Sequence, residues 1–299
     1  MSDSSIDFLV IGAQKSATSW LYQCLKEHPE VALPDNKYEV EYLGGDLSQI
    51  YGIDWYFGLM SSQQMAIHGD VSVLYLSDPR APKIVKQYAP NVKLVVVLRE
   101  PIERAISAYA WSRKNNFLSD YLPSTAEETF RLILNREYDC YPKIKADLAQ
   151  FITKGFYDNQ LIPWFELFDP SNFIIITYDS IKQTPNEVTK FLFSFLGIEK
   201  DFLPSSLYSI PKKNNYLNPK PIKNKKWKKL ETLKYRINKY VGNLIKQNNN
   251  TSPVFELSQE LNDNLCSLYR DHVKLTDFMI QKIPEKQKPK EQLVDIWKY

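Results

Sequence analysis

A short segment near the start of the chain combines glycine, lysine and hydroxyl side chains in an order that suits phosphate binding. It reads Gly12-Ala-Gln-Lys-Ser-Ala-Thr-Ser-Trp20, between an apolar run that ends at Gly12 and a helical pattern that begins at Thr18. Backbone N–H groups at a helix N-terminus point toward a bound anion, and the helix dipole favours negative charge there. An ordinary strand-to-helix turn is the alternative, but the order of strand, lysine, hydroxyls and helix favours a phosphate loop. The candidate contact residues are Gln14, Lys15, Ser16, Ala17, Thr18, Ser19 and Trp20.

This loop differs from the Walker A pattern of ATP- and GTP-binding proteins. That pattern is Gly-x-x-x-x-Gly-Lys-Ser/Thr, and no second glycine precedes Lys15. No acidic residue closes an apolar strand as the magnesium-binding Walker B aspartate does. We therefore expect a phosphate loop that works without a metal ion.

A second candidate anion site follows the most apolar run of the chain, Lys93-Leu-Val-Val-Val-Leu-Arg99. Arg99 ends this predicted strand, and Ser107 lies two turns into the helix that Pro101 begins. Parallel sheets bind ligands at the carboxyl ends of their strands, so Arg99 can grip a phosphate through two hydrogen bonds and Ser107 can donate another. Equally, Arg99 can pair with Glu103 while Ser107 faces solvent.

The elements that must position these residues alternate between strand and helix. Apolar runs predict buried strands at 8–12, 93–99 and 173–178, and helical patterns begin at Thr18, Pro101 and Pro185. Further helices are predicted at 79–88, 158–168 and 255–280. This alternation predicts an α/β fold of three layers, P-loop-like, with a mostly parallel central sheet flanked by helices. The 299 residues, 43% hydrophobic and 24% charged, suffice for a large core.

Cysteine content and the first residues bear on the cellular compartment. Cys24, Cys140 and Cys266 are widely spaced and form no Cys-x-x-Cys pair, so neither a disulfide framework nor a zinc site is expected. The chain begins without the positive region of a signal peptide, and no stretch approaches the roughly 18 apolar residues of a membrane span. We expect a cytoplasmic protein.

The net charge of +3 hides an uneven distribution. The segment 212–246 holds twelve Lys or Arg residues and one acid, and its apolar residues recur at helical spacing, which predicts a basic, partly helical insertion at about 212–250. A surface helix packed on the domain is the favoured interpretation. Docking on an anionic membrane surface and attraction of an anionic glycan stay open. Nucleic-acid binding is not expected, because no recognisable nucleic-acid module surrounds the segment.

These motifs together resemble those of sulfotransferases that use 3′-phosphoadenosine-5′-phosphosulfate (PAPS). The loop at 12–20 is similar to the family's 5′-phosphosulfate loop, and the spacing of Arg99 and Ser107 is similar to its 3′-phosphate motif. Further similar segments lie at 51–56, 69–75, 155–157 and 164–168. The resemblance covers nearly the whole chain, as a single domain over 1–299. It is closer to the bacterial and heparan-type glycan branch than to the branch that acts on small molecules.

The resemblance implies transfer of a sulfuryl group from PAPS to a hydroxyl or amine, with PAP as product and a saccharide or glycolipid as the expected acceptor. Glu39 aligns with the family's proposed general base, with Glu41 as the nearby competitor. Lys15 is the candidate to stabilise charge on the departing phosphate oxygen. Lys212 or Lys213 is expected to reach the 3′-phosphate.

Where glycan enzymes of the family often carry Glu-Lys-Thr-Pro, this chain has Asp70-Val-Ser-Val, so Val71 replaces their lysine. The small-molecule branch uses a histidine base. His68 is the one plausible rival here, and His28 and His272 are expected to be structural. Two alternatives stay open: a P-loop kinase, and a catalytically inactive PAP- or PAPS-binding scaffold or glycan-binding protein.

Overall fold

A five-stranded sheet with the order β2-β3-β1-β4-β5 forms the centre of the computed structural model. All four neighbouring pairs run parallel, which confirms the predicted parallel sheet. The strands are β1 (Phe8–Gly12), β2 (Val31–Ala32), β3 (Ile67–Val71), β4 (Lys93–Leu98) and β5 (Phe173–Thr177). The structure describes residues 6–34, 39–44, 46–59, 67–115, 117, 122–123, 125–137, 145–209 and 256–299.

Helices connect these strands and cover both faces of the sheet. In chain order they are α1 (Thr18–Glu27), α2 (Leu47–Ile50), α3 (Ile53–Phe57), α4 (Ala81–Tyr88), α5 (Pro101–Lys114), α6 (Ala126–Leu134), α7 (Lys145–Thr153), α8 (Tyr157–Phe165), α9 (Tyr178–Gln183), α10 (Pro185–Leu196), α11 (Gln259–Ile280) and α12 (Leu293–Trp297). The two clearest helix signals lie where the sequence predicts them. Proline opens α5 and α10, and Gly197 ends α10 in the left-handed conformation.

Alternating side chains of the strands build two hydrophobic cores. On β1, Leu9 and Ile11 pack in the core that contains α5, α8 and α11, whereas Phe8 and Val10 pack in the core that contains α1 and α10. Strands β4 and β5 divide their side chains in the same way. Because both faces are covered, these strands read in the sequence as unbroken apolar runs.

Strand β1 lies between β3 and β4, so the chain leaves its carboxyl end at the point where the strand order reverses. Parallel sheets bind their ligands at such switch points. The Ala13 N–H donates to the carbonyl of Val97 (2.7 Å), which ties the loop after β1 to the end of β4. The two predicted anion sites therefore lie at the same edge of the sheet.

None of the helices in the described part of the chain is long and apolar enough to cross a membrane. The predicted insertion at about 212–250, with Lys212 and Lys213, lies outside the described residues, so its helix and its contacts stay predictions.

Candidate functional site

The loop between β1 and α1 has the backbone geometry of an anion site. Lys15 (φ 71°) and Ala17 (φ 70°) both adopt the left-handed conformation, which is uncommon for non-glycine residues and is enriched at ligand-binding sites. Alternation of this kind turns successive N–H groups into one concavity. Ala17 is the N-cap of α1 and has no side-chain acceptor for the helix's first N–H groups. Thr18 and Ser19 therefore begin a helix whose N-terminus suits a bound anion.

Two other predicted loop residues are buried in different ways. The Ser16 side chain is fully buried, and its Oγ has no hydrogen-bond partner among the described residues. A buried hydroxyl without a partner is costly, so a ligand oxygen is the partner this site needs. The Trp20 indole packs in the α1/α10 core and donates to the carbonyl of Leu207 (3.1 Å). Any contact of Trp20 with a nucleotide would therefore come from its backbone, whereas Gln14 is half-buried within the loop.

Among the described cations at this edge of the sheet, Lys15 has the most strongly lowered pKa. Burial lowers its pKa to about 7, and the charges of Arg99 and Arg104 act in the same direction against Glu39, which raises the pKa. The Lys15 ammonium also lies 5.6 Å from the centre of the Trp111 ring. A lysine whose pKa is lowered first by burial and then by two positive neighbours occupies a site that favours an anion.

Arg99 connects the two predicted phosphate sites. Its Nη1 donates to the carbonyl of Lys15 (3.2 Å), and its guanidinium stacks 4.3 Å from the centre of the Tyr178 ring. The alternative pairing is also present, since Arg99 Nη2 lies 3.0 Å from Glu103 Oε2 in an ion pair whose carboxylate is half exposed. Ser107 is half-buried one helical turn beyond Glu103 on the same face of α5. A solvated ion pair of this kind is weak enough for a phosphate to compete with it.

The predicted base reaches this edge from the loop after β2. The Glu39 N–H donates to the carbonyl of Val71 (3.2 Å), which places Glu39 beside the carboxyl end of β3. Glu39 (φ 64°) and Glu41 (φ 55°) are both left-handed. Because the charge of Glu39 acts on Lys15, the candidate base and the candidate phosphate-binding lysine belong to one site. Whether Glu39 or Glu41 accepts the proton stays a prediction.

The rival histidines lie elsewhere. His68 is in β3 near its amino end, where its N–H donates to Asp7 Oδ2 (2.7 Å). The carboxyl edge with the phosphate loop is at the other end of the same strand. His28 is buried, with Nε2 2.9 Å from the carbonyl of Glu199, and His272 pairs with Asp158 (2.9 Å). All three have the structural settings that the sequence predicts for His28 and His272.

Sequence reasoning missed two cations of the site. Arg104 on α5 is fully buried, donates through Nη2 to the carbonyl of Phe151, and has no described partner for Nε or Nη1. Lys154, between α7 and α8, has a pKa lowered to about 8 by burial and then by Arg104. Asp147, Glu41 and Glu39 oppose that shift, so Lys154 shares the electrostatic environment of the candidate base. Arg104 lies in a helix that the sequence predicts, but the sequence does not show that its side chain is buried. No neighbouring sequence feature marks Lys154.

The segment that departs from the glycan enzymes has a structural role here. Asp70 accepts hydrogen bonds from the hydroxyls of Tyr56 (3.0 Å) and Tyr75 (2.7 Å) and from the N–H of Val71 (2.7 Å). The Val71 side chain is buried in the α1/α10 core and offers no charge to the site. Ser72 Oγ is buried and has no hydrogen-bond partner within the described residues. Among all the residues that the structure describes, no group of three or more His, Cys, Asp or Glu side chains is placed to hold a metal ion.

We expect the affinity for PAP to depend on pH through Lys15. With a pKa of about 7 in the free protein, Lys15 loses its proton as the pH rises above 7, whereas a bound phosphate favours the charged form. The Kd for PAP should therefore rise by up to about tenfold for each pH unit above 7, until the pKa of the bound form is passed. Calorimetric titration between pH 6.5 and about 9 measures this slope.

Three variants separate Lys15 from other groups. Lys15→Arg stays charged and should lose the slope, whereas Lys26→Arg, at an exposed position of α1, should keep it. Lys154→Arg tests the other lysine of lowered pKa. If the pH dependence of the Kd survives in Lys15→Arg and disappears in Lys154→Arg, the titrating group is Lys154 and the prediction for Lys15 is wrong.

Comparisons with known proteins identify the family. The family model described as a sulfotransferase domain matches residues 5–277. The chain is 28% identical over 196 residues to a bifunctional heparan sulfate N-deacetylase/N-sulfotransferase 1 of Caenorhabditis elegans, covering 64% of this chain and 22% of the relative. It is 27% identical over 209 residues to the human bifunctional heparan sulfate N-deacetylase/N-sulfotransferase 3, covering 68% of this chain and 23% of the relative. The chain thus spans less than a quarter of these relatives.

Solved structures share the fold. A sulfotransferase from Alicyclobacillus acidocaldarius superposes with a TM-score of 0.68 at 19% identity and covers 98% of both chains. A mouse sulfotransferase in complex with PAP superposes with a TM-score of 0.53 at 17% identity, covering 92% of this chain and 87% of the mouse chain. Since the family model matches most of the chain and the phosphate loop, Arg99 and Glu39 meet at one sheet edge, the protein belongs to the sulfotransferase domain family and is an enzyme of that family.

Proposed function

We propose that this sulfotransferase takes its sulfuryl group from PAPS and transfers it to a hydroxyl or amine of a saccharide. The observation that carries the proposal is the loop at 12–19. It joins a helix N-terminus without a side-chain cap, a buried hydroxyl that has no partner among the described residues, and a lysine of lowered pKa. Each of these features is satisfied by an anionic group.

The residues present fit both ends of the nucleotide. The 5′-phosphosulfate would accept hydrogen bonds from the backbone of Ala17, Thr18 and Ser19, from Ser16 Oγ and from Lys15. The 3′-phosphate would lie on Arg99 and Ser107, one sheet strand away. Arg99 already contacts the Lys15 carbonyl, so the same guanidinium orders the loop and would bind the second phosphate.

In the transfer step, the sulfuryl group would pass in line from the phosphate oxygen of PAPS to the acceptor oxygen or nitrogen. Glu39 would accept the proton of the acceptor hydroxyl or amine as the new S–O or S–N bond forms, which is the role of a general base. Lys15 stabilises the negative charge that develops on the departing phosphate oxygen as the old S–O bond breaks. Positioning and charge stabilisation supply most of the rate in a transfer of this kind.

The acceptor class rests on the relatives. The similar proteins are named as heparan sulfate N-deacetylase/N-sulfotransferases, which supports a saccharide acceptor. Glycolipid saccharides belong to the same chemistry. The chain covers only 22–23% of these relatives, so their complete activity does not carry over to this protein.

Radiolabelled PAPS tests the proposal directly. The protein is incubated with PAPS labelled in the sulfuryl group and with a panel of oligosaccharides that carry free hydroxyls and amines. We expect label on a saccharide and an equal amount of PAP, and no labelled product with Lys15→Ala. Binding of PAPS without transfer to any acceptor would instead favour an inactive PAPS-binding protein.

A further inference from the structure

Two aromatic side chains lie at the end of α5, beside the site described above. The Trp111 ring is half-buried and lies 5.6 Å from the Lys15 ammonium. The Phe117 ring is 44% exposed, and its centroid lies 5.9 Å from that of Trp111 with 53° between the planes. Accessible aromatic rings beside a charged group can stack against a ligand.

Backbone hydrogen bonds hold this pair in place. The N–H and the side-chain amide of Asn115 both donate to the carbonyl of Trp111 (3.0 and 2.8 Å). The Phe117 N–H donates to the carbonyl of Ser112 (2.9 Å), and Ser112 Oγ donates to the carbonyl of Phe117. These bonds do not involve the two rings. Removing a ring should therefore leave the turn after α5 intact.

The pair continues the face of α5 that carries Arg104. Arg104, Ala108 and Trp111 have the spacing of four and three residues that places side chains on one helix face. Lys15 responds to the charge of Arg104 and lies against Trp111, so its side chain runs along this face. An acceptor resting on Trp111 would thus reach the ammonium assigned to the departing oxygen.

We propose that Trp111 and Phe117 form an acceptor platform on which a pyranose ring of the saccharide stacks, with its reacting group directed toward Glu39. This inference rests on the proposed function and adds the residues that recognise the acceptor. A sugar ring has an apolar C–H face that packs on an aromatic ring and a polar rim that needs hydrogen-bond partners. Lys154, which belongs to the environment of Glu39, supplies a charged partner for that rim.

A phenolic acceptor is the competing occupant. It would stack on the same rings, but its rim carries few polar groups. The charged side chains around Glu39 would then lose water without gaining partners, which is costly. The polar surroundings of the platform favour the saccharide.

Calorimetry at saturating PAP tests the platform with three named probes: cellotetraose, a tetrasaccharide of glucosamine, and 4-nitrophenol. We expect at least one tetrasaccharide to bind the wild type, and its Kd to rise by about tenfold or more in Trp111→Ala and in Phe117→Ala. Trp111→Tyr should keep most of the affinity. The Kd for PAP in Phe117→Ala should stay within about twofold of the wild type, because Phe117 lies outside the nucleotide site.

Phe278→Ala serves as the matched control, since Phe278 is an exposed phenylalanine of α11 (68%). It should leave the affinity for the tetrasaccharide unchanged. The platform is overturned if saccharide affinity is the same in both alanine variants and the wild type. It is also overturned if PAP binds while only 4-nitrophenol, or none of the three probes, binds. If the wild type does not bind PAP at all, the proposed function itself is refuted.

Discussion

Glu39→Gln is expected to reduce sulfuryl transfer by roughly 10²- to 10⁴-fold, the range for removal of a general base. The glutamine keeps the size of the side chain but cannot accept the proton of the acceptor. The backbone bond from Glu39 to Val71 does not depend on the carboxylate, so the loop should keep its place. Because the phosphates are assigned to other residues, the Kd for PAP should change far less than transfer does, by at most about tenfold through the lost charge beside Lys15. Transfer is measured with labelled PAPS and binding by calorimetry.

Glu41→Gln is the matched control for this experiment. Glu41 is two residues away, has the same left-handed backbone and also acts on Lys154. We expect it to retain most of the activity. A large loss in Glu41→Gln with an active Glu39→Gln would transfer the base assignment to Glu41. Equal activity in both variants and the wild type would remove both carboxylates from the chemistry.

Arg99→Ala is expected to raise the Kd for PAP by roughly 10- to 100-fold, the equivalent of a lost hydrogen bond to a charged group. The guanidinium is predicted to bind the 3′-phosphate, and it also donates to the Lys15 carbonyl. Arg99→Lys should recover only part of the affinity, because an ammonium cannot form the same two parallel bonds.

The ligand itself provides the sharpest comparison. Adenosine 5′-phosphate lacks the 3′-phosphate, so Arg99→Ala should weaken its binding far less than that of PAP. Arg80→Ala should affect neither ligand, since Arg80 is an exposed arginine paired with Asp78 (2.7 Å) before α4. If Arg99→Ala weakens both ligands equally, Arg99 orders the loop and does not read the 3′-phosphate.

The main elements of the fold follow from local sequence signals. The unbroken apolar runs of β1, β4 and β5 are typical of buried parallel strands, and Pro101 and Pro185 mark helix starts. The two-residue strand β2 is too short to give a pattern, because its place depends on pairing with β3. Helices α6 and α7 pack mainly on each other and on α5, so their positions depend on tertiary contacts.

The residues of the candidate site also fall into those that a local sequence pattern predicts and those that only folding brings together. The phosphate loop is local, since one stretch supplies its strand end, lysine, hydroxyls and helix, and it was predicted from the sequence. Glu39 emerged only through the family resemblance, because an isolated acidic residue is usually solvated. Arg104 and Trp111 both lie on α5, whereas Lys154 comes from the α7–α8 connection and reaches the neighbourhood of Arg104 only by folding. The distance along the chain between Lys154 and α5 hides that convergence from sequence patterns.

The nucleotide site is the central claim, and calorimetric titration tests it most directly. PAP is titrated into the protein without metal, and ATP with magnesium into a matched sample. The proposed function predicts tight binding of PAP that magnesium does not change, with no binding of ATP. Binding of ATP with magnesium and none of PAP would contradict it and favour a kinase of the P-loop class.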